Sequence, residues 1–171
     1  MQKITPFLWF DGRAEEAMNF YTSIFKNSKV GRVTRYGEGG PGPKGAVMSA
    51  SFQIEGQEFI ALNGGPQYKF TPAISLFVNC ESQHEVDELW EKLSEGGEKG
   101  RCGWLTDKFG LSWQMIPSVL GQLMGDKDHA KAGRVVHAML QMSKLDIAQL
   151  KRPPRDDAAP PACDSIALCS S

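Results

Sequence analysis

The chain has 171 residues and a net charge of −1, and 41% of its residues are hydrophobic. This is the length of one ordinary domain, and the apolar content excludes a disordered chain. Because 19 basic residues are matched by 20 acidic ones, we expect no nucleic-acid partner, since phosphate binding needs a clustered excess of Lys and Arg. No run of about 18 apolar residues occurs, so we also expect no membrane partner.

The N-terminal segment and the cysteines indicate a location. The segment MQKITPFLWF lacks the basic region and the long apolar core of a signal peptide. The cysteines are irregularly spaced and form no CxxC pair; they are Cys80, Cys102, Cys163 and Cys169. We therefore predict reduced thiols in a cytoplasmic protein.

The first half of the chain predicts a strand, a helix and three further strands. Residues 3–10 form an apolar, β-branched run, and Asp11 is the predicted N-cap of the helix that follows. The helix has an apolar stripe at Ala17, Phe20, Tyr21, Ile24 and Phe25. Strands are predicted at 28–36, 46–54 and 57–62, and the second of them alternates with Ala46, Met48, Ala50, Phe52 and Ile54 on one face.

The second half begins with a similar series of elements. A strand at 71–79 precedes a helix whose start has capping-box spacing at Ser82 and Glu85. Its apolar stripe contains Val86, Leu89, Trp90 and Leu93. Residues 101–107 and 111–116 predict a hairpin, and short helices follow within 118–150, the last of them capped by Asp146.

These patterns indicate an internal repeat. Tyr21 and Trp90 occupy equivalent helix positions 69 residues apart. We predict an α+β fold in which two βαβββ modules, at about 1–66 and 67–117, form a curved mixed sheet around a cleft. A helical extension at 118–150 completes the folded part, 1–150. The Pro-rich segment 151–171 is predicted to be a flexible tail.

The hairpin is the most distinctive segment for function. Trp104 and Trp113 flank a polar turn. Aromatic side chains beside a few polar groups that orient a ligand are typical of an apolar pocket. The alternative is that both indoles fill the core, one on each side of the sheet. Cys102 has no histidine near it in sequence to activate it, so it is either a small buried hydrophobic residue or a nucleophile.

The segments FLWFDGRAEEAMNFYTSIF, ALNGGP, EKLSEGG and CGWLTDKFGLSWQMIP resemble the PhnB-like family. This family is labelled as a 3-demethylubiquinone-9 3-methyltransferase domain. It is placed in the vicinal oxygen chelate superfamily with glyoxalase I, bleomycin-resistance proteins and extradiol dioxygenases. The resemblance covers about residues 3–150 and implies two βαβββ modules, a concave sheet enclosing a cleft, and a homodimer.

Enzymes of this superfamily hold a divalent metal with His and Glu side chains on inward-facing strands. The resemblance puts the corresponding positions at Thr5 or Pro6, near Ala61, at Ala73 and at Gln114. None of these residues is a histidine or a carboxylate, and alanine offers no donor atom. We therefore predict no catalytic metal site and no cofactor.

Three hypotheses about function follow. The first is metal-free binding of a small aromatic or apolar molecule, with a cleft lined by Trp9, Phe59, Trp104 and Trp113 and a polar group oriented by Asn63, Cys102 and Gln114. The second is a metal-independent enzyme of isomerase, lyase or methyltransferase type, with Cys102 as nucleophile and Lys108 or Gln114 as electrostatic helper. The third is a protein-binding module with an apolar patch at Met124, Met139, Leu140 and Met142.

Overall fold

The computed structural model describes residues 2–154 of the chain. Of the predicted tail, 151–171, the part from residue 155 onward lies outside the described residues. The chain divides into two compact units between Thr71 and Pro72. None of the helices in the described part is long and apolar enough to cross a membrane.

Unit 1 is a four-stranded mixed sheet with one helix. Its elements are β1 (Phe7–Phe10), α1 (Ala14–Ile24), β2 (Ser28–Arg35), β3 (Val47–Ile54) and β4 (Gln57–Asn63). The strand order is β1-β4-β3-β2, in which β1 runs parallel to β4 and the other pairs are antiparallel. The predicted strand–helix–strands order is confirmed, although β1 begins at Phe7 rather than Lys3 because the preceding Pro6 has no N–H to donate to a ladder.

Helix α1 packs on one face of this sheet. The alternation predicted for β3 is confirmed, since Ala50, Phe52 and Ile54 are all buried. Tyr21 of α1 is fully buried, and its ring centroid lies 5.9 Å from that of Phe52. Burial of these side chains supplies the main stabilisation of unit 1.

The predicted cap of α1 is wrong. Asp11 does not cap the helix, because the chain makes a further turn through Gly12 and the N-cap position falls at Arg13, which makes no side-chain cap bond. The backbone N–H of Ala14 instead donates to Oδ1 of Asn63 at 2.8 Å. The start of α1 is therefore satisfied by a residue at the end of β4.

Unit 2 repeats the topology of unit 1. Its elements are β5 (Ser75–Cys80), α2 (Gln83–Leu93), β6 (Glu98–Lys99), β7 (Trp104–Thr106) and β8 (Ser112–Pro117). The order β5-β8-β7-β6 matches that of unit 1, with β5 parallel to β8. Helix α2 begins and ends 69 residues after α1 does, which is also the spacing from Tyr21 to Trp90. The predicted repeat is therefore confirmed.

The sequence signals for α2 are confirmed. Ser82 Oγ accepts from the backbone N–H of Glu85 at 3.2 Å, and the predicted apolar stripe is buried. The strand that the sequence did not show is β6, because a charged strand of two residues has no alternating pattern.

The C-terminal segment forms α3 (Val119–Met124), α4 (His129–Gln141) and α5 (Ile147–Lys151). The predicted cap is confirmed, since the Asp146 side chain accepts from the N–H of Gln149 at 2.8 Å. These helices share a core of Ile116, Leu120, Val135, Leu145 and Leu150. Met139 and Met142 pack against that core, whereas Met124 and Leu140 are exposed.

Candidate functional site

Each sheet has one face that packs against its own helix, α1 or α2, and an opposite face that we call the far face. In unit 1, the strand register puts Phe7 and Trp9 of β1 beside Ile60 and Leu62 of β4 on the far face. Ser49, Ser51 and Gln53 of β3 continue this face across the sheet. The far face of unit 1 is therefore apolar along β1 and β4 and polar along β3.

Trp9 is fixed by the loop that follows β4. Its indole Nε1 donates to the carbonyl oxygen of Gly65 at 2.8 Å, and the Tyr68 ring lies edge-on with a centroid distance of 5.0 Å. A Cβ atom on Gly64 would lie 2.2 Å from the indole ring. Because the indole N–H is already bonded, the part of Trp9 that remains for further contacts is its apolar ring surface.

The far face of unit 2 has a row of three side chains across three strands. Trp104 of β7 pairs with Gln114 of β8, and Gln114 pairs with Phe77 of β5. Such directly opposed side chains have Cβ atoms about 5 Å apart. Gln114 Nε2 also donates to Ser75 Oγ at 2.8 Å, which fixes the orientation of the amide. Sequence reasoning found Trp104 and Gln114 but missed Phe77, which is 55% exposed.

Two of the predicted lining residues lie on the helix-packed faces instead. Trp113 is 1% exposed, and its indole Nε1 donates to Asp107 Oδ2 at 2.8 Å. Phe59 is buried and stacks on Phe52 with centroids 5.3 Å apart. Because side chains alternate along a strand, neither residue reaches the far face. We therefore do not retain Phe59 and Trp113 as ligand contacts.

Asn63 has a structural role that the sequence did not indicate. Its Oδ1 caps α1, and its Nδ2 donates to the carbonyl oxygen of Val47 at 3.0 Å. Both ends of the amide are therefore used in joining α1, β3 and β4. This removes the reason for placing Asn63 among the groups that orient a ligand.

Cys102 lies in the turn before β7, where the C-terminal segment docks. Its backbone N–H donates to the carbonyl oxygen of Met142 at 2.8 Å, and the N–H of Gly103 donates to that of Ser143 at 2.8 Å. Cys102 has a φ of 55° and is buried. These contacts give Cys102 a role in docking the C-terminal segment. The residue precedes β7 and lies outside the row of Trp104, Gln114 and Phe77.

Lys108 lies on the turn between β7 and β8. Its Nζ is 5.3 Å from the ring centroid of Phe109, an arrangement that favours a cation–π contact. Gln114, by contrast, bonds to Ser75 of β5. The three predicted catalytic candidates thus lie on different elements: Cys102 in the turn before β7, Lys108 in the turn between β7 and β8, and Gln114 on β8.

The other buried thiol is Cys80, at the end of β5. Burial, together with the nearby carboxylates of Glu85 and Glu81, raises the pKa of Cys80 to about 12. The thiol is therefore protonated at neutral pH and is not a nucleophile. Cys80 behaves as a small apolar residue of the unit 2 core.

The residues present do not fit the divalent metal of the superfamily. Ala61 is fully buried on the helix-packed face, while Thr5, Pro6 and Ala73 precede their strands. The nearest positions on the far faces carry Phe7, Leu62 and Ser75 instead. Of the four expected ligand positions, only Gln114 lies on a far face. Across residues 2–154, no three side chains of His, Cys, Asp or Glu come together as a metal site.

Comparison with known proteins agrees with this fold. The model of a family described as 3-demethylubiquinone-9 3-methyltransferase matches residues 2–116. The PhnB protein of Bacillus cereus is 44% identical, with 68% of this chain and 100% of that chain covered and a TM-score of 0.62. A search of curated proteins finds no match.

Two more distant structures support the fold alone. A protein from Pseudomonas aeruginosa is 23% identical over 68% of this chain and 98% of that chain, with a TM-score of 0.57. The fosfomycin resistance protein FosX of Listeria monocytogenes, solved with Mn(II) and sulfate, is 17% identical over 71% of this chain and 97% of that chain, with a TM-score of 0.51. The predicted fold class, with two βαβββ modules and C-terminal helices, is confirmed.

Proposed function

Because the chain belongs to the 3-demethylubiquinone-9 3-methyltransferase family, which has the vicinal oxygen chelate fold, we propose that it binds a small, largely apolar molecule on the far face of the unit 2 sheet. The family name does not identify the reaction, because one fold supports many activities. The contacts proposed on that face are Trp104 and Gln114, and a ligand contact by Trp9 on the far face of unit 1 stays a prediction.

The pairing of Trp104 with Gln114 carries this proposal. An aromatic ring beside an oriented amide is the usual composition of a small-molecule site, which is mostly apolar with few polar groups. Ser75 takes one N–H of Gln114, and an amide has a second N–H and a carbonyl oxygen to offer. The ligand class that fits is a flat ring with a hydroxyl or carbonyl group.

The alternative predicted from the sequence, a metal-independent enzyme, rests on Cys102, Lys108 and Gln114. Cys102 takes part in docking the C-terminal segment, and Gln114 belongs to the row proposed for binding. No observation favours this activity over binding, and it stays a prediction. The protein-binding patch and the cytoplasmic location also stay predictions.

The test is calorimetric titration of the protein with 1-naphthol, a flat ring with one hydroxyl group. We expect saturable binding by the natural protein. Gln114→Leu should weaken it roughly fivefold, because it removes a hydrogen bond of about 1 kcal/mol. Trp104→Leu should weaken it by up to about tenfold, through the loss of an aromatic contact of ~0.5–1.5 kcal/mol.

The matched control is Gln122→Leu, which makes the same change at an exposed position of α3. It should leave the affinity for 1-naphthol unchanged. Absence of binding by the natural protein, or an equal loss in Gln114→Leu and Gln122→Leu, would contradict the proposal.

A further inference from the structure

The hydrogen bond between Gln114 and Ser75 decides which polar atoms of these two side chains remain for a ligand. Gln114 Nε2 lies 2.8 Å from Ser75 Oγ. An amide NH2 group donates and does not accept, so Ser75 Oγ is the acceptor and its own O–H proton is left to donate elsewhere. Gln114 keeps its second N–H and its Oε1. Within residues 2–154, neither side chain makes another hydrogen bond.

The atoms that remain are donors beside an acceptor, and this combination distinguishes between ligands. A ligand that covers the amide removes water from the N–H and from Oε1 together, and a polar atom buried without a partner is destabilising. A ring with only an acceptor leaves Oε1 unpaired, and a ring with only a donor leaves the N–H unpaired. A ring with an N–H group next to a carbonyl group pairs with both.

The aromatic side chains on the neighbouring strands favour a flat ring over this amide. Phe77 of β5 and Trp104 of β7 pair with Gln114 from its two sides. Neighbouring strands are about 4.8 Å apart, so the two aromatic residues are separated by about 10 Å. A ring with van der Waals contacts on both of its faces needs about 7–8 Å. The row therefore has room for one flat ring, and none of its three side chains is charged.

We propose that the ligand of the unit 2 far face is a flat, neutral cyclic amide with a ring N–H next to its carbonyl group, which rests on the proposed function. Gln114 Oε1 accepts from the ring N–H, and the donors that remain on Gln114 and Ser75 serve the carbonyl oxygen. Ser75 is a positioning residue, because its bond to Nε2 holds the amide in the orientation that leaves Oε1 for the ligand.

The first test compares two ligands that differ by one donor, in calorimetric titrations of the full chain. 2-Quinolinone has a ring N–H next to its carbonyl group, and N-methyl-2-quinolinone has the same ring and carbonyl without the N–H. We expect the natural protein to bind 2-quinolinone at least about fivefold more tightly, because only this ligand pairs with Oε1. Gln114→Leu should bind the two equally. Equal affinities in the natural protein, or a preference that persists in Gln114→Leu, would overturn the proposed ligand class.

The role of Ser75 is tested by the ratio of the two affinities. Ser75→Ala should lower this ratio about threefold, because a freely turning amide can direct its N–H groups at a ring that only accepts. Ser75→Thr retains the hydroxyl group and should retain the ratio. The matched control is Ser49→Ala on the far face of unit 1, which should change neither affinity. A Ser75→Ala protein that loses both affinities by the same factor would contradict the positioning role.

Gln114→Glu should reverse the choice of ligand. Its carboxylate offers two acceptors and no donor, so protonated 2-aminoquinoline, which has two neighbouring donors on the same ring system, should bind this variant more tightly than 2-quinolinone does. The natural protein should show the opposite order. Circular dichroism checks that each variant is folded. The same order of affinities in both proteins would contradict pairing of the ring edge with residue 114.

Titration with 1-naphthol separates this ligand class from the broader proposed function. Binding of 1-naphthol, together with equal affinities for the two quinolinones, would overturn the cyclic amide and leave binding of an apolar molecule in place. Absence of binding by all three compounds would overturn both.

Discussion

Asp107 is 2% exposed, yet its two carboxylate oxygens are well satisfied by N–H groups of its own hairpin. Oδ1 accepts from the backbone N–H groups of Phe109 and Leu111 at 2.8 and 3.1 Å, and Oδ2 accepts from the Trp113 indole at 2.8 Å. A buried carboxylate is tolerated only with such a set of donors. The residue therefore shapes the turn that places Gln114 on the far face.

Replacing Asp107 should unfold the protein at lower denaturant concentration. Asp107→Asn puts an amide N–H where an acceptor is needed, and we expect a loss of about 3 kcal/mol in the free energy of unfolding. The measurement is urea denaturation followed by circular dichroism. Trp113→Phe should cost ~1–3 kcal/mol more than Trp90→Phe, since both indoles are buried and only the former bonds to this carboxylate. Equal losses in the two Trp variants would contradict this role of Asp107.

At the scale of elements, each sheet is joined to its surroundings by a few specific contacts. In unit 1, the loop after β4 packs closely over Trp9 of β1. In unit 2, Gln83 at the start of α2 donates to the carbonyl oxygen of Leu145 and accepts from the N–H of Ile147. Lys144 also pairs with Asp87 at 2.7 Å, and this hydrogen bond lowers the pKa of Asp87. Helix α2 thereby holds the segment between α4 and α5.

Two glycine substitutions should have opposite effects on stability. Gly64→Ala would place a methyl group 2.2 Å from the Trp9 indole, and we expect a loss of ~1–3 kcal/mol because the ring or the loop must shift. Gly121→Ala lies within α3 with no atom within 4 Å of the added Cβ, and should gain ~0.5–1 kcal/mol from helix propensity. Thermal denaturation measures both. A Gly64→Ala protein as stable as the natural one would show that the loop does not pack tightly on Trp9.

At the scale of the whole molecule, the vicinal oxygen chelate fold is present, but the four positions that the resemblance assigns to metal ligands carry no histidine or carboxylate. Phe7, Leu62 and Ser75 are at or near the positions where metal ligands are expected, and an apolar or hydroxyl side chain cannot hold a divalent ion in their place. The far faces carry aromatic and amide groups instead. This composition fits the organic ligand proposed above.

Manganese should therefore leave the stability of the full chain unchanged. A ligand present at 100 times its dissociation constant adds about 2.7 kcal/mol to the folded state, which corresponds to roughly 5–11 °C in a domain of this size. We expect a change below about 1 °C on adding millimolar MnCl2, with MgCl2 as the control for ionic strength. A saturable rise with Mn(II) alone would show that the folded chain does bind a divalent ion and would contradict this prediction.

The sequence by itself determined the elements and their repetition. The apolar stripe ending in Trp90 and Leu93 identified α2, and Ser82 and Asp146 identified two helix starts, because these signals depend only on residues three or four apart. The spacing between Tyr21 and Trp90 showed the repeat for the same reason. The charged strand β6 was missed because a strand of two residues has no period to detect.

The tertiary structure alone decided which side chains reach the far faces. Trp104 and Trp113 look equivalent in the sequence, but the register pairs Trp104 with Gln114, so Trp113 turns into the core beside Asp107. A shift of one residue in that register would exchange the two faces. In the same way, the contact between Asn63 and α1 joins residues distant along the chain. These positions depend on which strands pair and in what register. The periodicity of a single segment carries no information on either.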